Sequence, residues 1–171
     1  MVVFGDKMNN LEEIVSEYYN WKDYLVKKNI LVGKRAAGGY EMELDIVAFQ
    51  PHTNHLIHIE TSLDAYSWEK RSERFSKKFK LGTKYIISEV FTWLSPNVVI
   101  DQLIILPSKP KSCELDGIKV ITIDEMFGII IKDIKELGQA NKNAIPEQYS
   151  LLRAVQFAVV GYVASPLKKI T

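Results

Sequence analysis

The chain of 171 residues is 47% hydrophobic and 25% charged, which is the balance of a globular protein with a single core. Its formal net charge of +1 and its single cysteine exclude a strongly charged protein and an internal disulfide, so a nucleic-acid surface would need local clusters of charge. No apolar run reaches the ~18 residues of a membrane span, and the first residues do not form a signal peptide. We therefore expect one cytoplasmic domain over residues 1–171 without a membrane segment.

The first part of the chain predicts a helix that is followed by three strands. Apolar residues recur at spacings of three and four over residues 10–28, which is the pattern of an amphipathic helix, and Asn9 or Asn10 can cap its start. We expect strands over residues 30–35, 40–50 and 55–62. Gly38 and Gly39 form the first connecting turn because glycines tolerate positive φ, so this region is predicted as an antiparallel meander.

The second part of the chain predicts further helices and strands. The predicted elements are a helix over residues 66–80, strands over 84–90, 102–106 and 118–123, a helix that Asp124 caps and that runs to about Leu137, and a last helix over 147–163. The last helix is strongly apolar, so we expect it to be a buried packing element. This order of elements predicts an α/β fold with one mixed sheet.

Two acidic residues are predicted to meet across neighbouring strands. Strand alternation places Glu43 and Asp45 on one face of the second strand, with Leu44 and Ile46 on the other face. Glu60 lies on the next strand, where facing Cβ atoms are ~4.5–5.5 Å apart and diagonal ones ~7–8 Å apart. At either distance two carboxylates can share one Mg²⁺, so the pair predicts a metal site.

The residues around Glu60 favour this functional interpretation. Ser62 lies two residues further along and is expected on the same strand face, where it can reach a water on the same metal. A strand acid such as Asp45 often only faces solvent. Glu60, however, lies in a strongly apolar strand with Ile57 and Ile59, and a buried carboxylate needs partners.

Three histidines near this region do not form the pattern of a zinc site. His52 and His55 fall at a turn, no cysteine lies near, and the strand period separates the three imidazoles. His58 shares the face of Glu60, so we expect at most a peripheral role for it.

A run of basic residues follows the predicted site along the chain. Six Lys or Arg residues fall within residues 69–80, on a helix whose charged side would ordinarily face solvent. Directly after a metal site, the same residues can bind phosphates. The predicted nucleic-acid-binding residues are Lys34, Arg35, Lys70, Arg71, Arg74, Lys77 and Lys78.

The segment from Glu43 to Ser62 resembles the core of the PD-(D/E)XK nuclease superfamily. Asp45 stands at the place of the acidic residue on the second strand, and Glu60-Thr61-Ser62 stands at the place of the Glu-x-Lys motif on the third strand. The resemblance extends over roughly residues 10–80 and includes the helix before the motif and the basic helix after it. It implies a restriction endonuclease-like three-layer α/β core, with a mixed sheet whose antiparallel meander carries the site.

The resemblance also implies a set of metal ligands. Asp45, Glu60 and the backbone carbonyl of Thr61 would bind Mg²⁺ or Mn²⁺, and the first helix would add Glu12 or Glu13.

The lysine of the family's motif is replaced by Ser62, which carries no charge and has a short reach. In this family the lysine orients or activates the attacking water, and some members carry it on a neighbouring element. Lys70 and Lys34 are the candidates for that role here. The implied catalytic residues are therefore Asp45, Glu60, Ser62 and Lys70.

These features predict a metal-dependent DNA endonuclease of the restriction or repair type, with DNA as its partner. Two carboxylates would hold the metal ion, which would activate water for in-line attack on the phosphodiester. Many such nucleases work as dimers, so a homodimer is a further expectation. The alternative is a nuclease-fold module that binds DNA or a protein without cleaving, which the serine at position 62 favours. An enzyme that acts on RNA is a third interpretation.

Overall fold

The computed structural model describes residues 9–163. Its elements in chain order are α1 (Asn10–Trp21), β1 (Leu25–Lys34), β2 (Tyr40–Gln50), β3 (His55–Thr61), α2 (Trp68–Tyr85), β4 (Ile100–Leu106), β5 (Glu114–Leu115), β6 (Ile118–Thr122), α3 (Ile123–Leu137) and α4 (Ser150–Val159). A π-helical segment, Ile86–Val90, continues α2. Within the residues that the structure describes, no helix is long and apolar enough to cross a membrane.

The strands form one mixed six-stranded sheet in the order β1-β2-β3-β4-β6-β5. β1, β2 and β3 pair antiparallel, which confirms the predicted meander, and Gly38 and Gly39 in its first turn have φ of 94° and 76°. β3, β4 and β6 run parallel, so their carboxyl ends lie at one edge of the sheet. Glu60 and Thr61 lie at that edge.

Helices cover both faces of the sheet. Ile57 and Ile59 of β3 pack with α1, α3 and α4 on one face, whereas Leu56 packs on the other face with Tyr85 and Ile86 at the end of α2. Burial of these apolar surfaces is the main driving force for the arrangement. The predicted α/β fold, with a mixed sheet between helical layers, is confirmed.

α1 is shorter than predicted because the chain turns at Asp23, which has φ of 63°. β1 begins at Leu25 instead of residue 30. The early start lets β1 pair along the length of β2, from Leu25 opposite Phe49 onwards. The predicted helix end at residue 28 is wrong because long-range strand pairing outweighs the local apolar periodicity.

The predicted strand over residues 84–90 is also wrong, since these residues complete α2 and form the π-helical segment. Tyr85 and Ile86 pack in one cluster with Val32 and Leu44, so the apolar run is buried as a helix. A short apolar run does not by itself distinguish a buried helix from a strand.

The start of α3 differs from the prediction by one capping residue. Thr122, not Asp124, caps the helix: its side chain accepts from the backbone N–H of Glu125 at 3.1 Å, and the Glu125 carboxylate accepts from the backbone N–H of Thr122 at 2.8 Å. This reciprocal capping box satisfies two helix-end donors at once, which a single cap at Asp124 would not do.

α4 spans Ser150–Val159 and is shorter than the predicted helix over residues 147–163. Its buried residues are Leu152 and Gln156, whereas Phe157 is 43% exposed. The prediction that this helix is buried therefore holds for one side of it and is wrong for the other.

The alternation of β2 breaks at Asp45. Leu44 packs on the α2 face of the sheet and Ile46 on the α1 face, so the prediction that these two residues share a face is wrong. Asn29 of β1, which lies across from this point in the strand register, has φ of 51°. Such a local irregularity changes the direction in which a side chain points from the strand. The backbone nitrogen of Asp45 lies 3.5 Å from Oε1 of Glu60.

Candidate active site at the end of strand β3

Glu60 is an acid in the interior of the protein, with a fully buried side chain. Its Oε1 accepts a hydrogen bond from Nε2 of His58 at 2.7 Å, and its Oε2 forms an ion pair with Nζ of Lys78. A buried carboxylate is tolerated only when such partners compensate for its lost hydration. Both oxygens of Glu60 are therefore held by side chains of the sheet and of α2.

Asp45 meets Glu60 across the strands. The last pair between β2 and β3 is Ile46 with Ile59, and one further step in this register places Asp45 opposite Glu60. Oδ1 of Asp45 accepts from Nζ of Lys78 at 2.9 Å, and Oδ2 accepts from the backbone N–H of Thr61 at 2.9 Å. One ammonium group thus bridges the two carboxylates.

Lys78 reaches this position from the buried stripe of α2. Ser67 caps the helix through a bond from the backbone N–H of Lys70, which fixes where the helix begins. Phe75, three residues before Lys78, and Gly82, four residues after it, are buried, so the helix turns Lys78 toward the sheet. The side chain of Lys78 is 27% exposed, and its ammonium end lies between the acids.

A third carboxylate lies beside the pair on α1. Oγ1 of Thr61 donates to Oε1 of Glu12 at 3.3 Å, and Asn9 donates to the same oxygen at 2.6 Å. Asn9 also caps α1 by accepting from the backbone N–H of Leu11, as predicted. Of the two acids proposed from the sequence, Glu12 faces the site, whereas Glu13 forms an ion pair with Lys28.

The charges of these groups depend on each other. Burial raises the pKa of Asp45 to about 7, and the nearby charge of Glu60 adds to that rise. Burial also acts to raise the pKa of Glu60, but the bonds from His58 and Lys78 outweigh it and lower the pKa. Burial acts to lower the pKa of Lys78, but the two carboxylates raise it overall. The ammonium of Lys78 therefore stays charged.

His58 is locked in place by α2. Its ring is 1% exposed and lies 4.6 Å from the ring of Phe79 between centroids. A Cβ added at Gly82 would lie 2.7 Å from Nδ1 of His58, so the helix can approach only because this residue is a glycine. Nδ1 has no hydrogen-bond partner among residues 9–163, which leaves the contact with Glu60 as the polar bond of the ring.

Ser62 faces away from the acid pair. Its hydroxyl donates to the carboxylate of Asp64, and its backbone N–H donates to the carbonyl of Ile105 at 3.2 Å. The two predicted substitutes for the motif lysine also lie elsewhere. Lys70 is exposed, with Nζ 6.0 Å from the ring centre of Tyr66, and Lys34 is exposed at the far end of β1.

The predicted phosphate-binding residues divide into two groups. Arg71 is 5% exposed and donates from Nε to Asp64 at 3.1 Å, so its guanidinium orders the loop before α2 instead of facing solvent. Arg74 pairs with Asp64 at 2.6 Å and is partly exposed. The exposed members of the predicted set are Lys34, Arg35, Lys70 and Lys77.

Sequence reasoning gave Lys78 the role of a phosphate ligand and His58 at most a peripheral one, whereas the structure places both in contact with Glu60. A signal for Lys78 was present in the spacing, because Arg71, Phe75, Lys78 and Gly82 recur at intervals of three and four. A signal for His58 was its shared strand face with Glu60.

The metal ligands predicted from the sequence are the carboxylates of Asp45, Glu60 and Glu12 and the main-chain carbonyl of Thr61. Within residues 9–163, no group of three or more His, Cys, Asp and Glu side chains is close enough to hold a metal ion, so Glu12 does not join the other two carboxylates in one ligand set. Asp45 and Glu60 each direct one oxygen at Nζ of Lys78, so both point at a common cation position. Carboxylate and carbonyl oxygens are the ligands that Mg²⁺ and Mn²⁺ favour, and the donor types fit such an ion.

A cavity of about 730 Å³ lies at the opposite end of β3, with Ile57 and Leu103 among its apolar lining. Tyr24 and His55 line it and share a hydrogen bond of 2.7 Å at Nδ1, while Nε2 of His55 bonds Asp101 at 2.9 Å. The acid pair and Lys78 are not among the residues that line this cavity. The cavity and the buried acid pair therefore lie at opposite ends of β3.

No protein-family model and no curated protein matches this chain. Among solved structures, the chain is similar to the small subunit of a heterodimeric restriction endonuclease, with 14% sequence identity over 89% of this chain and 88% of that chain. The TM-score is 0.34, and a likeness at this level carries no argument about function.

Proposed function

We propose that this protein is a metal-dependent nuclease that hydrolyses phosphodiester bonds in DNA. The observation that carries the proposal is the ammonium of Lys78, which bridges the carboxylates of Asp45 and Glu60 at the end of β3. Converging acids in a protein interior cost free energy unless a cation compensates for them. A site of this kind is suited to holding cations next to an anionic substrate.

The ligands proposed for Mg²⁺ or Mn²⁺ are the carboxylates of Asp45 and Glu60 and the carbonyl of Thr61, with Glu12 beside them. Among residues 9–163, the carboxylate oxygens that face Lys78 have no other side-chain donor, because His58 bonds the other oxygen of Glu60 and the backbone of Thr61 bonds the other oxygen of Asp45. When bound, the ion supplies a Lewis acid that polarises the phosphate and lowers the pKa of a coordinated water.

In this proposal Lys78 has the role of the motif lysine, which the uncharged Ser62 cannot have. Its raised pKa keeps it cationic, so it acts by charge and by hydrogen bonding and not as a general base. An ammonium at this place stabilises the negative charge that builds up on a phosphate under attack. The lysine comes from α2 instead of β3, which leaves the hydroxyl of Ser62 for Asp64.

The exposed basic residues would position the DNA. Lys70 and Lys77 lie on α2, the helix that carries Lys78, and Lys34 and Arg35 lie at the first hairpin turn. Contacts from such residues to phosphates are independent of base sequence and weaken steeply with salt.

Cleavage of supercoiled plasmid tests this proposal. The wild-type protein is incubated with Mg²⁺ or Mn²⁺ and compared with Asp45→Asn, Glu60→Gln and Lys78→Met, which preserve side-chain size. We expect nicking by the wild type and at least about 100-fold slower nicking by each variant, as is typical when a group that stabilises transition-state charge is removed. Glu43→Gln and Lys132→Met, which change exposed residues of β2 and α3, are the matched controls.

Equal nicking by wild type and Glu60→Gln would contradict the proposal, as would a wild type that leaves plasmid intact with either metal. Circular dichroism of each variant confirms that the fold is kept.

A module that binds DNA or a partner protein without cleaving is the second candidate. It is favoured by one observation, namely that Glu60 already has donors on both oxygens in His58 and Lys78. In such a module Lys78 would be a permanent counter-ion of the acids. Isothermal titration with Mn²⁺ separates the two functions, because the nuclease takes up the ion and the module does not.

A further inference from the structure

Two large side chains project into solvent from the loop between β3 and α2. Leu63 is 63% exposed and Tyr66 is 56% exposed. The loop follows directly after Glu60 and Thr61, so both side chains lie close in sequence to the acid pair. Both side chains are exposed enough to contact a binding partner.

The loop is held rigidly by one carboxylate. Asp64 accepts from the hydroxyl of Ser62, from the backbone N–H of Tyr66 at 3.1 Å, from Nε of Arg71 at 3.1 Å and from Arg74 at 2.6 Å. The buried Arg71 also donates to the backbone carbonyl of Asp64. This hydrogen-bond network therefore orders the loop with Leu63 and Tyr66 directed into solvent. The order of the loop does not depend on packing of these two side chains against the protein.

Two cationic groups lie near the aromatic ring of Tyr66. Nζ of Lys70 lies 6.0 Å from the ring centre of Tyr66, and the guanidinium carbon of Arg74 lies 5.8 Å from it. An exposed phenol ring with two cations near it matches a nucleotide, whose base offers a flat aromatic face and whose phosphates offer negative charge. A regular duplex hides its base faces in the stack, so this surface suits bases that are unstacked.

We propose, on the basis of the nuclease activity proposed above, that Tyr66 stacks on an unpaired base and that Leu63 wedges beside it, so that the substrate class is DNA with a junction between single and double strands. Lys70 and Arg74 bind the phosphates on either side of that base. Apolar wedges that separate base steps and aromatic platforms that stack on single strands both occur in nucleic-acid-binding proteins.

This arrangement also accounts for the serine in the motif. The hydroxyl of Ser62 is bonded to Asp64 and thus helps to anchor the loop. Lys78 supplies the cation next to the acids, so Ser62 is available to stabilise the loop that contacts the substrate.

Fluorescence anisotropy with the wild-type chain in EDTA tests the inference without cleavage. Two fluorescein-labelled oligonucleotides of equal length are compared, one a continuous duplex and one a hairpin with a single-stranded tail. We expect the tailed hairpin to bind about ten-fold more tightly, and Tyr66→Ala to remove about ten-fold of that preference, since stacking on one base is worth such a factor. Tyr66→Trp should retain the preference.

Tyr162→Ala is the matched control, because Tyr162 is 58% exposed on the segment after α4. Equal binding of the two oligonucleotides, or an equal loss for both on Tyr66→Ala, would overturn the inference while plasmid nicking still supports the nuclease. Failure of both nicking and binding would overturn the nuclease together with the inference. Self-association that Tyr66→Ala abolishes in sedimentation would assign the surface to a second copy of the chain and overturn it too.

Discussion

The two ends of β3 carry the same kind of pair in opposite surroundings. At the carboxyl end, His58 donates to Glu60 at 2.7 Å, and the two side chains are 1% and 0% exposed. At the amino end, His55 bonds Asp101 at 2.9 Å, but these side chains are 34% and 61% exposed. The large cavity lies beside the exposed pair and not beside the buried one.

Buried charge, rather than open volume, therefore marks the constrained site in this molecule. An exposed pair is stabilised by water whether or not the partners meet, so it contributes little and tolerates change. A buried pair has to be satisfied by protein groups, so its geometry is fixed by several elements at once. The three predictions with the largest effects compare a change at the buried end with a matched change elsewhere.

The largest effect is expected for Lys78→Met. The substitution keeps the length of the side chain but leaves Asp45 and Glu60 without their shared ammonium, and breaking a buried ion pair costs about 4 kcal/mol. Lys77→Met, one residue earlier and exposed on the same helix, should change stability by less than about 0.5 kcal/mol. Urea denaturation at pH 7 measures both variants, and equal midpoints would show that the bridge is not structural.

The next effect compares the two histidines. His58→Ala empties a buried space and leaves Oε1 of Glu60 without its donor, which we expect to cost about 3 kcal/mol. His55→Ala removes a partly exposed bond to Asp101 and should cost about 0.5 kcal/mol. The two free energies of unfolding are compared in the same buffer. If His55→Ala costs as much as His58→Ala, the contrast between the two ends of β3 fails.

The sequence was sufficient to predict the meeting of Asp45 and Glu60. Strand period and the short turn over residues 51–54 place the two acids on neighbouring antiparallel strands, and the register of β2 with β3 brings them together. The break of alternation at Asp45 could not be predicted, because it depends on how β1 pairs with β2, and Leu44 was placed on the wrong face.

The bridge by Lys78 could not be predicted because it depends on the depth at which α2 packs. The helix was expected to end at residue 80, which left Gly82 outside it, yet this glycine is what lets α2 approach His58. This contact depends on the absence of a side chain at Gly82, which the spacing of apolar residues cannot indicate. Ser62 indicates that the motif lysine is missing. The lysine that replaces it could not be identified, because several lysines lie at a comparable distance along the chain.

Two helical glycines test that packing depth. In Gly82→Ala the new Cβ would lie 2.5 Å from Cε1 of His58, so we expect a loss of about 2 kcal/mol from overpacking. In Gly128→Ala on α3 the new Cβ meets nothing within 4 Å, so better helix propensity should add about 0.5–1 kcal/mol. Thermal unfolding, monitored by circular dichroism, shows whether each substitution lowers or raises the stability of the fold. A stabilised Gly82→Ala would mean that α2 does not press on His58.

The smallest effect concerns acid sensitivity at two carboxylates outside the acid pair. Burial acts to raise the pKa of Asp64, but its bonds, first from Ser62, hold that pKa below the ordinary 3.8. At Asp133, burial is likewise outweighed by Lys22 and Tyr18, and the pKa is lowered.

A carboxylate with a lowered folded pKa stabilises the fold above its unfolded pKa and loses that contribution as the pH falls. Urea denaturation at pH 6 and pH 3 should therefore show a smaller acid-induced loss in Asp64→Asn than in wild type, by about 1 kcal/mol or less because solvent screens the group. Asp133→Asn should change the loss by a smaller amount, since two side chains donate to Asp133 whereas three side chains and a backbone N–H donate to Asp64. An acid-induced loss in Asp64→Asn as large as in wild type would mean that the loop does not depend on its charge, and the rigid display of Leu63 and Tyr66 would then need another anchor.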